Sequence, residues 1–354
     1  MIDIICGARP NFMKVDPIIR NTNPAVEIRL VHTGQHYDHI MSQSFFDDLD
    51  LPRPDVNLEV GSASITVQTA TIMQRYEKVF LEGKPKAVVV VGDVNSTLAC
   101  ALVAVRYGVP VIHVEAGLRS FDRDMPEEIN RVLTDQLANL LLITTTEARD
   151  NLLAEGRLSE MIKLVGNPMI DTLMRLLPSA LDIGSPPPEE PYALVTLHRP
   201  SNVDNPERLG DILDALGSLE GLRVLFPAHP RTLCNMDKWD LSVPERLSIV
   251  EPMSYLDFIR CEVDASVVIT DSGGVQEETS VLGVPCVTVR TSTERPVTLE
   301  LGTNVLCPDT SLIPEAVAKQ IACRPDIAPV IPMWDGKAGR RIATAIENFT
   351  GGTR

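Results

Sequence analysis

The same order of elements occurs twice in this chain. Each time a run of β-branched residues meets a turn holding Asp and Gly, then a helical stretch, Gly-Val-Pro, and a second apolar run. In the first half it reads AVVVVGDVNSTLACALVAVRYGVPVIHV, from Ala87 to Val114; in the second, SVVITDSGGVQEETSVLGVPCVTVR, from Ser266 to Arg290. Consecutive valines leave no face for water, so such runs suit parallel strands covered by helices on both sides. Gly-Val-Pro is a helix stop followed by a strand start. Strands are also expected at Ile2–Cys6, Ile28–His32, Ala193–Leu197 and Val224–Pro227, and helices from about Met13, over Thr97–Tyr107 and from about Val275. The rhythm predicts α/β architecture with right-handed crossovers: two Rossmann-like, doubly wound parallel-sheet domains with a ligand cleft between them. The first is expected over 1–170 and the second over 171–337. Four prolines in Gly184–Pro191 favour an extended linker, and an amphipathic helix is expected over about 338–350.

With 354 residues, the chain has room for two domains. A net charge of −16 argues against nucleic-acid or anionic-membrane partners, so any anionic ligand needs a local basic pocket. No apolar run approaches the ~20 residues of a membrane helix. The opening MIDIICGARP has neither a basic leader nor a cleavage site. Seven scattered cysteines with no C-x-x-C fit reduced thiols, and a cytoplasmic location is expected.

Ligands of open α/β sheets bind beyond the carboxyl ends of strands, where the reactive side chains of this sequence gather. Asp271-Ser272-Gly273-Gly274 ends a strand and opens a helix, which suits an anion, and Glu277 or Glu278 is placed to reach ribose hydroxyls. Arg9 and Lys14 follow the first strand and offer a bidentate donor and a point charge. His198-Arg199-Pro200 and His229-Pro-Arg231 each end a strand. Asp93 tops the valine strand and Glu115 the next one along; Asp93 also reads as a helix N-cap. Glu127 opens a helix capped by Asp124 with Pro126 in its first turn, and Arg131 lies on the face of Glu127, also readable as a surface i,i+4 pair. His36 and His39 beside Asp38 carry a weak metal signal, and no metal or cofactor is expected.

The ordered runs GARP, TGQHYD, VVGDVNSTLA, HVEAGLRSFDRDMPEEINR, VGNPMIDTL, VTLHR, HPRT, TDSGGVQEE and TERP span about Ile2 to Gly302. Together they resemble the non-hydrolysing UDP-N-acetylglucosamine 2-epimerase family. The resemblance implies a GT-B-like pair of domains, a homodimer, a UDP-sugar substrate and no cofactor. It also implies elimination of UDP across C1–C2 to a bound 2-acetamidoglucal, followed by re-addition with the proton on the other face. Carried over by position, Arg9, Lys14, His198, Ser272, Gly273 and Gly274 would hold the diphosphate, and Glu278 the ribose. Asp93, Glu115 and Glu127 would be the catalytic carboxylates, with Arg131 beside them and His198 counted in the catalytic set. Arg295 of TERP would join the substrate-binding set. Asn11 stands where many members have Glu, and TGQHYDHIMS departs from the Q-H-R-E-M version that in some members helps bind a second, activating UDP-sugar. A 2-epimerase of a modified sugar, such as UDP-2,3-diacetamido-glucuronic acid, and a GT-B glycosyltransferase are the alternative readings.

Overall fold

The computed structural model describes residues 1–34, 46, 50, 53–183 and 187–351, apart from the side chains of Arg9 and residue 183. The His36–His39 cluster, the TGQHYDHIMS departure beyond Gly34 and the start of the proline-rich linker lie outside the described residues. The chain divides into two compact units, Met1–Arg175 with Pro332–Arg354, and Leu176–Ile331.

The first unit holds a seven-stranded sheet in the order β3-β2-β1-β4-β5-β6-β7. Its strands are β1 (Ile2–Cys6), β2 (Ile28–His32), β3 (Val56–Asn57), β4 (Val88–Val91), β5 (Val111–Val114), β6 (Leu140–Ile143) and β7 (Ile162–Leu164). Every pairing is parallel, for example Val88 opposite Val111 and Val91 opposite Val114. All four β4 valines are buried, as an interior strand between two helical layers requires. Strand order reverses between β1 and β4, so their carboxyl ends flank the crevice where such sheets take ligands.

Four helices of this unit matter below: α1 (Arg9–Asn21), α2 (Ile65–Gly83), α3 (Asn95–Arg106) and α4 (Pro126–Leu137). On α2, Ile72, Tyr76 and Phe80 repeat every four residues and face the core. The Tyr76 hydroxyl donates to buried Asp3 at 2.8 Å, and Arg29 pairs with the same carboxylate at 2.7 Å. Asp3 is thereby satisfied inside the sheet layer. The C-terminal helix Ala338–Gly351 lies along α1. Asp171 accepts from the Ala338 and Gly339 N–H groups at 3.0 and 2.7 Å, so a carboxylate caps the helix start. A Cβ on Gly339 would come within 2.4 Å of the Pro17 carbonyl, so only glycine permits this approach.

The second unit repeats the plan with six strands in the order β10-β9-β8-β11-β12-β13. They are β8 (Tyr192–Thr196), β9 (Arg223–Pro227), β10 (Leu247–Val250), β11 (Val267–Thr270), β12 (Cys286–Thr288) and β13 (Asn304–Leu306), all parallel. Order reverses between β8 and β11, the strands that His198 and Asp271 follow.

Several boundaries differ from the sequence reading. The helices expected from Met13, Thr97 and Val275 begin at Arg9, Asn95 and Gly273. Polar and glycine residues in a first turn carry no apolar period, so pattern reading starts too late. The strand expected through Arg290 ends at Thr288, and the Arg290 side chain turns to Glu294 at 2.8 Å. Neither N-cap reading holds. Val94 and Met125 occupy the cap positions of α3 and α4, without side-chain cap bonds. Asp93 faces Arg131 instead, and the Asp124 N–H donates to Asp122 at 3.1 Å.

Candidate active site

In the first unit the site is built where β1, β4 and β5 end. Asn11, in the first turn of α1, accepts from the Ala8 N–H at 2.9 Å and donates to the Val91 carbonyl at 3.0 Å. It thus stitches the turn after β1 to the end of β4. Lys14, one turn on, forms a close ion pair with Glu115, and both are buried. Gly92 lies beside this pair, and a Cβ there would sit 3.3 Å from Asn11 and 3.4 Å from the Lys14 ammonium. Its φ of +70° suits glycine, whereas Glu115 holds a φ of +71° with a full side chain. A left-handed, non-glycine residue costs about 1–2 kcal/mol, and such strain persists where surrounding bonds over-determine it.

Asp93 forms a close ion pair with Arg131 of α4, and the Asn130 side-chain amide donates to the Asp93 carbonyl at 2.9 Å. Helix α4 therefore grips the Asp93 turn by side chain and backbone together. Arg131 also pairs with Glu128 at 2.8 Å, an i,i+3 contact in place of the i,i+4 pair with Glu127 readable from the sequence. The reason is the inward aim of Glu128, which accepts from the Ser120 N–H, the Ser120 hydroxyl and the Phe121 N–H at 2.9–3.0 Å. Glu128 folds the EAGLRSF loop onto α4 and anchors Arg131 beneath Asp93. Glu127 is half-buried in the first turn, with no hydrogen bond or ion pair among the described residues. Asp93, Glu115 and Arg131 thus come together with Lys14, while Glu127 is held only by its helix. The described part of Arg9 is its backbone, which opens α1.

In the second unit, Asp271 is fully buried at the end of β11. It accepts from the His198 N–H at 3.1 Å, the Arg199 N–H at 3.0 Å and the Asn202 amide at 3.0 Å, and meets His198 Nδ1 at 3.1 Å. Burial alone would raise this carboxyl, but the His198 contact and these donors hold it below the usual range. Asp271 therefore organises the turn after β8 and aims His198, whose ring is 52% exposed. Ser272 takes the N-cap position of the helix Gly273–Leu282, and Gly273 and Gly274 form its first turn. A Cβ on Gly273 would approach Glu294 Oε1 to 2.7 Å, so the glycine lets the buried Glu294 carboxylate pack against this helix start. The first N–H groups of a helix have no partner within it, which suits phosphate oxygens. Glu278 accepts a short hydrogen bond from the Tyr255 hydroxyl, whereas the buried Arg295 side chain pairs closely with Glu277. Glu294 pairs with Arg290 at 2.8 Å and with Arg199 at 3.6 Å.

Sequence reasoning missed Asn11, Glu128, Asn130, Tyr255 and Glu294 as parts of these constellations. Glu128 had one available signal: adjacent carboxylates at a helix start, of which the i,i+3 partner of Arg131 is the second.

Residues 19–347 match the family described as UDP-N-acetylglucosamine 2-epimerase. Among similar proteins, the UDP-N-acetylglucosamine 2-epimerase of Methanocaldococcus jannaschii is 41% identical over 360 residues, covering 96% of this chain and 97% of that one. The UDP-2,3-diacetamido-2,3-dideoxy-D-glucuronate 2-epimerase of Pseudomonas aeruginosa is 41% identical over 309 residues, covering 85% of this chain and 86% of its own. The crystal structure of the Methanocaldococcus jannaschii UDP-GlcNAc 2-epimerase in complex with UDP-GlcNAc and UDP superposes with a TM-score of 0.89 at 39% identity, covering 98% of this chain and 99% of that one. A seven-stranded and a six-stranded parallel sheet, coverage of nearly the whole chain and the family match agree: this chain belongs to the UDP-N-acetylglucosamine 2-epimerase family.

Proposed function

We propose that this chain is an isomerase that interconverts UDP-N-acetylglucosamine and UDP-N-acetylmannosamine. The observation that carries the reading is the paired arrangement at the switch point of the first sheet, Asp93 on Arg131 and Glu115 on Lys14, in a chain of this family. The C2 proton of a sugar has no adjacent carbonyl and is weakly acidic. Its removal becomes feasible as the C1–O bond breaks and positive charge develops on the ring. The C2–H electron pair becomes the C1=C2 bond of 2-acetamidoglucal, UDP departs with the C1–O pair, and a carboxylate takes the proton. Return of a proton to the opposite face, with UDP adding back at C1, completes inversion at C2.

Two faces require two acid/base groups, and we assign them to Asp93 and Glu127, with Glu115 positioning Lys14. Arg9, Lys14, His198 and the Ser272-Gly273-Gly274 turn hold the diphosphate, and Glu278 takes the ribose hydroxyls. Arg295, paired with Glu277, braces the helix that carries Glu278. The active protein is a homodimer of the cytoplasm and supplies an amino sugar nucleotide for polysaccharide synthesis. Supporting the dimer are Ile129 and Leu133, exposed one turn apart on α4; supporting the location are seven cysteines without a disulfide among the described residues.

Proton NMR in heavy water tests the reaction. With UDP-N-acetylglucosamine, deuterium should enter C2 as the manno epimer appears. Asp93→Asn and Glu127→Gln should each slow this by at least about 100-fold, the scale of lost general acid–base catalysis. Free sugar and UDP as products, or an epimer without deuterium, would overturn the reading. Native-like turnover in either variant would remove that residue from its role.

A further inference from the structure

His113, which the proposed chemistry does not use, sits in the middle of β5 and is fully buried. Its Nδ1 meets Asp135 Oδ1 at 2.6 Å and its Nε2 meets the Gly92 carbonyl at 2.8 Å. Both partners are acceptors. Although burial opposes ionisation, the charges of His113 and Arg119 hold Asp135 below the usual carboxylate range. A ring with a proton on each nitrogen satisfies both bonds. Asp135, from the buried face of α4, also accepts from the Gly117 N–H at 3.0 Å and pairs with Arg119 at 2.8 Å. Arg119 continues to Glu155 at 2.6 Å. Two positive and two negative groups therefore form one charge-balanced cluster, buried except for the partly exposed Glu155 at its rim.

The cluster touches the turns that carry Asp93, a proposed acid/base group, and Glu115, which positions Lys14. Gly92, held through its carbonyl, precedes Asp93; Gly117, held through its N–H, follows Glu115 and Ala116. Both glycines and Glu115 lie in the left-handed region, with φ of +70°, +78° and +71°. A Cβ on Gly117 would fall 2.4 Å from the Ala148 carbonyl, so this turn has no room to relax. We propose that His113 is a positioning residue that acts on Asp93 through the Gly92 carbonyl, with Asp135 locking its ring and joining the two carboxylate-bearing turns.

This inference rests on the 2-epimerase reading, and a pair of variants tests it. His113→Asn keeps an N–H near the Nδ1 position and drops the hold on Gly92. His113→Gln reaches the Nε2 position and restores that hold. His113→Asn should lower kcat for C2 exchange about 100-fold, the cost of misplacing a reacting group by about 1 Å. KM and UDP affinity should stay near native, and His113→Gln should recover at least about tenfold of the loss. Equal kcat in both variants, or a fall in UDP affinity that tracks a lowered Tm, would overturn the assignment in favour of a purely structural histidine. If neither variant folds, ¹⁵N spectra of the native protein decide: both ring nitrogens protonated, with coupling from Nε2 to the Gly92 carbonyl, support it, and a bare Nε2 sinks it. A native enzyme that shows no C2 exchange would instead refute the underlying reaction.

Discussion

Burial pushes the Glu278 carboxyl up to about 7; the Tyr255 hydrogen bond pulls it down, and the Glu277 charge adds to the rise. In its proposed role Glu278 must be ionised to accept two ribose hydroxyls. Affinity for a UDP-sugar, whose diphosphate does not titrate near neutrality, should rise about tenfold from pH 6 to pH 8. Calorimetric titration of the native protein and Glu278→Gln checks this: the variant should bind weakly and without that slope. A flat native profile would sink the role. Stability runs the other way. Between the ordinary glutamate value of 4.5 and about 7, the unfolded chain has released a proton that the native state retains. Glu278 therefore makes stability fall as pH rises through that window, and Glu278→Gln removes that contribution. Glu262, also buried on the neighbouring helix Tyr255–Asp264, is raised by burial and by Glu278, and shares the same sign. The place of Asp93 and Glu115 beyond the ends of β4 and β5 was legible because short apolar runs mark those strands. His113 and Asn11 were not, because their partners lie 22 and 80 residues away and only the fold brings them together.

Helix α4 turns polar side chains inward: Glu128, Asn130, Arg131, Thr134 and Asp135 are buried, while Ile129 and Leu133 are 42% and 46% exposed. An apolar period normally marks the core face; here it marks the opposite one, because the inward face serves the turns of Asp93 and Glu115. Choosing between Glu127 and Glu128 as the inward carboxylate was therefore beyond periodicity. Long buried strands were easy to read, whereas β3, β7 and β13, at two or three residues each, are defined by register with a neighbour. Strand β6 escaped notice because its leucines continue the apolar run that ends α4. The C-terminal helix offers a direct test of docking. Asp171→Ala removes the acceptor for two N–H groups and should cost about 1–2 kcal/mol. Gly339→Val, forced against the Pro17 carbonyl, should cost more. Hydrogen exchange should show residues 338–351 opening faster in both variants while β4 and β5 stay protected. Unchanged protection of the helix in Gly339→Val would mean that the close approach to α1 is dispensable.

A chain carrying −16 repels its own copies, so self-association needs an apolar contact that outweighs the repulsion. In the dimer proposed above, the exposed Ile129 and Leu133 would supply one; Ile65 and Val67, 53% and 56% exposed at the start of α2, are further exposed apolar side chains of the same unit. In a two-fold dimer each residue is used twice, so a double substitution removes four side chains from the interface. At about 1.5–3 kcal/mol for each fully buried side chain, even partial burial predicts at least about 100-fold weaker dimerisation for Ile129→Glu with Leu133→Glu. Light scattering on a sizing column should show the native protein at twice the 38.8 kDa chain mass and the double variant moving to that mass on dilution. Helix α4 also holds Asp93 through Arg131 and Asn130, so loosening its outer face should reach the chemistry. C2 exchange by the diluted variant should fall with dimer content, and UDP affinity, proposed above to rest on residues outside α4, should change little. A monomeric native protein at the highest workable concentration would refute the dimer, and a monomeric variant with full exchange would show that α4 keeps its grip on Asp93 without a second copy.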